Sequence, residues 1–88
     1  MNELERYQEG AEELCEVIWP ISTGLVSAIK DFFRGPTEKE YLYKIKVEMG
    51  KIRLMERCKI LDTAVELAKL DKLSEDMFRL LMIAFSSC

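Results

Sequence analysis

Four glutamates, Glu9, Glu12, Glu13 and Glu16, recur at steps of three and four near the amino terminus. On a helix such steps gather carboxylates on one side, where they can converge on a hard divalent cation. The same row also makes an ordinary solvated acidic face, which is its commoner use. Other chemistry-bearing groups are few. The chain has no histidine, so it lacks the usual proton shuttle near neutral pH and the most frequent metal ligand, and a serine or cysteine nucleophile would have no imidazole base. Cys15, Cys58 and Cys88 do not show the close pairing of zinc sites. Cys15 and Cys58 read as small buried hydrophobes and Cys88 as a terminal thiol. Gly24 and Gly50 stand alone and Gly35 belongs to a turn, so there is no phosphate-cradling loop. The expectation is no catalytic residue, no cofactor, no bound metal, and a chain that is not a conventional enzyme.

One short stretch points the other way. Glu13-Leu14-Cys15-Glu16 resembles the first half of the metal-binding signature of the all-α nucleotide pyrophosphohydrolases, the MazG-like family. The resemblance implies short helices, a dimer, and a second helix carrying a Glu-x-x-Asp pair. The nearest counterpart is Glu48-Met49-Gly50-Lys51, where a lysine stands in the aspartate's place and would repel magnesium. On this half-match the chain would be at most a degenerate relative.

Charge is segregated along the sequence. Up to Trp19 there are six glutamates against Arg6, a net of −5, whereas Lys44 to Lys59 carries six cations against Glu48 and Glu56, a net of +4. Antiparallel packing of the first helix on the central one would pair these rims, each exposed pair contributing under about 1 kcal/mol while favouring one orientation. Alternatively Lys46, Arg53 and Arg57, at steps of seven and four, line one face and touch the phosphates of a nucleic acid. The formal charge of −3 disfavours that reading. Trp19, Tyr41 and Tyr43 cannot all face inward on one stripe, and exposed aromatics are the usual anchors of protein–protein contacts.

Helices must position all of these groups. Leu4, Tyr7, Ala11, Leu14 and Ile18 fall on one helical stripe and predict a first helix from about Asn2 to Trp19, ended or kinked by Pro20. Ile21, Leu25, Ile29, Phe32 and Phe33 predict a second over Ile21 to Arg34. Gly35-Pro36 breaks the chain, and Thr37 with Glu40 makes a capping-box pattern. Beyond it, apolar residues at 47, 54, 61 and 68, with Cys58 and Val65, form a seam at heptad spacing. The seam predicts one helix from Glu38 to Leu70, because a lone glycine costs only about 1 kcal/mol against alanine. A helix of that length is roughly 50 Å long, against a radius of gyration of about 12 Å for a compact chain of this size. It would protrude unless Gly50 broke it in two or a second copy covered it, and the second copy is the reading preferred on sequence. Asp71-Lys72 marks the next turn. Ser74 then caps a last helix, about Glu75 to Ser86, whose apolar side chains point all round and call for another subunit.

The expected fold is therefore all-α: a single domain, residues 1–88, arranged as a four-helix bundle with a long central helix, and dimeric. Leu25, Ile29, Phe32, Leu80, Leu81, Ala84 and Phe85 should fill the core. Leu54, Leu61, Met77, Phe78, Leu81, Met82 and Phe85 should form the dimer interface. At 88 residues with 49% hydrophobic and 33% charged content, the chain is a folding sequence rather than a disordered one. It shows no secretory signal and no membrane span, so a cytoplasmic location is expected, that of the host if the chain is phage-encoded. The function expected is a non-enzymatic protein-binding regulator or inhibitor, of the kind found among phage and mobile-element accessory factors. Its contact residues would be Trp19, Tyr41, Tyr43, Lys46, Arg53 and Arg57.

Overall fold

Asn2 starts the first helix, its side-chain oxygen accepting the N–H of Glu5 at 2.8 Å, while Glu3 and Glu5 place negative charge at the positive end of the helix dipole. This helix, α1 (Glu3–Ile18), ends where sequence placed its end. Trp19 donates to the carbonyl of Cys15 at 2.8 Å, and Pro20 has no N–H to offer Glu16. The computed structural model describes residues 2–32 and 38–86, and the side chains of all of these except 38–41. Four further helices follow: α2 (Thr23–Phe32), α3 (Glu38–Gly50), α4 (Leu54–Lys69) and α5 (Glu75–Ser86). The Ser22 and Ser74 hydroxyls start α2 and α5 by accepting the N–H of Leu25 at 3.1 Å and of Met77 at 3.2 Å. The Gly35-Pro36 break, the Thr37–Glu40 capping box, the Tyr41 side chain and Cys88 lie outside the described residues.

The helices close a ring. α1 packs on α2 and α4, α2 on α3, α3 on α5, and α5 on α4. Leu14 and Ile18 enter the ring from α1, Leu25 and Ile29 from α2, Ile45 and Met49 from α3, Ile60 and Ala64 from α4, and Met77 and Leu81 from α5, all fully buried. Among the described residues no polar or charged residue falls in the buried core, which is aliphatic apart from its methionines and Cys15. None of these helices is long and apolar enough to cross a membrane.

The long central helix is not formed. The chain leaves helical geometry after Gly50, with the N–H groups of Lys51 and Ile52 closing the last turn onto the carbonyls of Glu48 and Met49 at 3.2 and 3.1 Å, and resumes at Leu54 after an extended Arg53. Burial of Ile52 in the turn explains why. Ile45, Met49 and Ile52, then Ile60, Ala64 and Leu67, are the core-facing residues of this region, and between the two triplets the stripe meets Glu56. Running straight through would expose Ile52 or bury that carboxylate; turning does neither. The heptad seam accordingly faces outward, with Val47 and Leu54 exposed and Leu61 and Ala68 half-buried. Cys58, expected in the core, is exposed.

Folding back also shortens the molecule, whose longest extent is 35 Å and radius of gyration 11.8 Å. With no protruding spine, the stated physical reason for a covering second copy disappears. Met77 and Leu81, expected at a dimer interface, are fully buried by their own chain. α5 has one sealed face, and Met82 and Ile83 stand on the other at the surface. Leu54 is exposed, while Leu61, Phe78 and Phe85 are half-buried, the last two against the core.

The turn from α4 to α5 is a Schellman motif: Lys72 N–H donates to Leu67 O at 2.8 Å, and Asp71 N–H to Ala68 O at 3.0 Å. Asp71 holds the left-handed position, with φ of 58°, and receives Arg6 from α1, whose Nε donates to its carbonyl at 2.6 Å and whose Nη2 pairs with its carboxylate at 2.8 Å. Gly10 lets α1 lie directly on this turn, since a Cβ there would overlap the carbonyl of Lys72.

Two stability predictions follow from these contacts. Gly10→Ala should lower unfolding stability by about 1–3 kcal/mol through overpacking, whereas Gly50→Ala, whose Cβ would meet nothing within 4 Å, should leave it unchanged or raise it by up to about 1 kcal/mol; urea titration reads both, and equal effects would refute the assignment of Gly10 to a close approach. At the left-handed position, Asp71→Gly should be about 1 kcal/mol more stable than Asp71→Ala. Identical midpoints for that pair would show that backbone geometry does not limit the turn.

Candidate functional site

With Leu14 and Ile18 committed to the core, α1 presents two flanks, and its acidic row divides between them. Glu9 and Glu13 face the α4–α5 turn, where Lys72 Nζ lies 3.8 and 3.3 Å from their carboxylates. This corrects the expectation that the acids of α1 pair with the basic run at 44–59. Lys44, Lys51 and Lys59 of that run pair instead with Asp31, Glu48 and Glu56, at 3.6, 3.4 and 3.7 Å. Glu12 and Glu16 point to the opposite flank, are exposed, and have no ion partner among the described residues.

Between that flank and α2 runs a groove of about 740 Å³. Ala11 and Cys15 of α1 and Val26 and Ile29 of α2 form its floor; Gln8, Glu12 and Glu16 stand along one side, Lys30 on the other, and Trp19 at the end. The backbone that carries the indole is held by local hydrogen bonds. Trp19 makes the last helical bond, and the N–H groups of Ile21 and Ser22 both return to the carbonyl of Ile18 at 2.8 Å, so the chain turns sharply beneath it. Trp19 is 59% exposed. Burial pushes the Cys15 thiol above its ordinary value of 9.0, with Lys30 opposing the shift and Glu12 adding to it. The thiol therefore lies in the groove as a neutral, weakly polar group.

Two smaller depressions lie elsewhere on the surface. One, about 560 Å³, lies between Val17, Pro20 and Ile21 and the α3–α4 junction, where Lys51, Arg53 and Lys59 outnumber Glu56. The other, about 370 Å³, runs between α2 and α3 beside Tyr43 and the Asp31–Lys44 pair. The five expected contact residues whose side chains are described are thus not brought together. Trp19 lines the α1–α2 groove, Arg53 the depression at the α3–α4 junction and Tyr43 the one between α2 and α3. Lys46 and Arg57 are half-buried on separate helices, and Nε of Arg57 is shielded from solvent without a hydrogen-bond partner. The break after Gly50 is the reason: a face spaced by seven and four exists only on an unbroken helix.

The two stretches bearing the pyrophosphohydrolase resemblance are likewise engaged elsewhere. Glu13 is held by Lys72, and Glu48 pairs with Lys51 through Oε1 while its Oε2 accepts from Ser22 at 3.4 Å. Among the described residues no group of three or more cysteines or carboxylates is placed to hold a metal ion. What the α1–α2 groove offers chemically is an exposed indole and a charged rim over a bottom of buried apolar side chains. Sequence reading missed Val26, Ile29 and Lys30 as its far wall. The available signal was the run Leu25, Val26, Ala28 and Ile29, too broad for a helix that serves one neighbour only. No family model, curated protein or solved structure matches this chain.

The thiols report on this geometry. At pH 8 an alkylating reagent should modify Cys58, which is exposed, at least about ten-fold faster than Cys15, read by peptide mapping. Because the native Cys15 thiol keeps its proton to higher pH than the unfolded one, its contribution should lower stability as pH rises above 9.0. Equal alkylation rates would show that the floor of the groove is open.

Proposed function

We propose that this chain is a non-enzymatic protein-binding module that regulates or inhibits a larger partner by occupying its surface, with the α1–α2 groove as its binding edge. The observation that carries this reading is the Trp19 indole, mostly exposed at the end of the groove on a backbone held by the turn that follows. An isolated exposed apolar residue needs no explanation, but an exposed tryptophan flanking a groove has the form of an interface anchor. Covering the exposed part of an indole, on the order of 120 Å², at about 25 cal/mol/Å² would stabilise a complex by roughly 3 kcal/mol. The charged rim then supplies orientation more than affinity.

The nucleic-acid reading draws less support, since Lys46, Arg53 and Arg57 are dispersed and three lysines of the same region are paired with carboxylates. The hydrolase reading requires two facing carboxylate sets, and Lys51 occupies the position of one carboxylate.

A photo-crosslinking residue at Gln8, on the groove, should trap a discrete partner in the native cells, whereas the same residue at Asp62, exposed on α4, should not. Trp19→Ala should abolish the adduct. Indistinguishable adducts from both positions would sink the proposal, as would nucleotide turnover with magnesium or manganese that is lost in Glu13→Gln and Glu16→Gln.

A further inference from the structure

The groove is selective in charge and in shape, and both features describe its occupant. Resting on the reading of this groove as a protein-binding edge, we infer that it receives a basic amphipathic helix of a partner protein. Along α1 the side chains of Gln8, Glu12 and Glu16 form a ridge at steps of four, and Ala11 and Cys15, also four apart, form a hollow beside it. Rows at that step are the ridges and grooves by which helices pack on one another, and small residues in the hollow let a facing helix come close. From Gln8 to Trp19 the hollow spans about 16 Å at 1.5 Å per residue, the length of roughly three helical turns. A peptide bound by strand addition would need a free strand edge, and the described residues are helices joined by turns.

The rim sets the charge. Glu12 and Glu16 are exposed and have no ion partner among the described residues, whereas Glu9 and Glu13 are occupied by Lys72. Among the described lining residues, Lys30 is the charged group on the α2 side of the groove. A helix seated here meets two carboxylates four residues apart on one side and one ammonium on the other. The complementary sequence has apolar residues at steps of three and four, two Lys or Arg residues four apart along one flank, and an acid or neutral group along the other. The net of −5 over residues up to Trp19 extends the attraction beyond the contact itself and repels polyanions.

A display library of 18-residue amphipathic helices, with the apolar stripe fixed and the flanks randomised among Lys, Glu, Gln and Ser, tests this on the full chain. Trp19, the single tryptophan, reports binding through its emission. The selected helices should carry paired basic residues four apart on one flank and shift the Trp19 emission to the blue. They should bind Glu12→Lys/Glu16→Lys at least ten-fold more weakly, with the far-ultraviolet circular dichroism of that variant unchanged. Selected helices that shift Trp19 but show no basic flank, or bind the charge-reversed variant equally well, would overturn the inference while leaving the groove a protein-binding edge. Failure to select any helix that moves Trp19 would overturn both. An emission shift that follows the concentration of the protein alone would identify a second copy as the occupant and equally overturn the inference.

Discussion

The rest of the structure depends on the turn between Gly50 and Leu54. Helix α5 buries Met77, Leu80, Leu81 and Ala84, more apolar surface than one flanking helix can cover. By folding back after Gly50, the chain makes two helices out of the segment that follows residue 38 and packs one on each side of α5. α1 and α2 then close the ring. Ile52 is the residue that commits the turn, because its side chain is buried where the backbone is not helical. A small chain has little interior to spare, and this arrangement fills it with aliphatic side chains from all five helices.

Helix starts and ends were legible where a local signal decides them. Asn2, Pro20 and Ser74 act within one turn of themselves, and their positions in the sequence are sufficient to place the ends of α1 and the start of α5. The turn at Gly50 was misread because glycine alone is a weak breaker, and the decisive term is tertiary, the burial of Ile52. Two apolar stripes compete in that region, the heptad positions Val47, Leu54 and Leu61 and the set Ile45, Met49, Ile52 and Ile60. Periodicity alone does not rank them. Glu56 interrupts the second set only if the helix is continuous, so choosing the right stripe requires already knowing that the chain turns. The dimer expectation had rested on that straight spine and on an all-round apolar α5, and within the ring Met77 and Leu81 are buried by their own chain.

The acidic row illustrates a different limit. Glu9, Glu12, Glu13 and Glu16 are one cluster in sequence and nearly one face on a helical wheel. The packing of α1 separates them, because Gly10 brings the α4–α5 turn against one flank and α2 approaches the other. On the first flank Lys72 and the Arg6–Asp71 clasp orient the helix, each pair modest in energy because it is partly solvated. On the second, two carboxylates face water beside an apolar floor. Sequence identified the carboxylates but not the division of roles, which is set by residues sixty positions away. For the same reason Trp19 was recognisable as an anchor while its companions on α2 were not.

The floor of the groove shows what the fold has left unfilled. Ala11 and Cys15 occupy positions on α1 that face Val26 and Ile29 across the α1–α2 contact, and larger aliphatic side chains there would close the hollow and bury more apolar surface. Each added methylene in a site able to take it is worth about 0.8 kcal/mol, an appreciable fraction of the stability of a domain this size. Small residues on the floor, two carboxylates without ion partners among the described residues and an exposed indole each run against the stability of the isolated chain. They converge on one groove, whereas the opposite flank of α1 is tightly packed and ion-paired. Features of this kind gathered along one groove are what a surface reserved for a ligand would show.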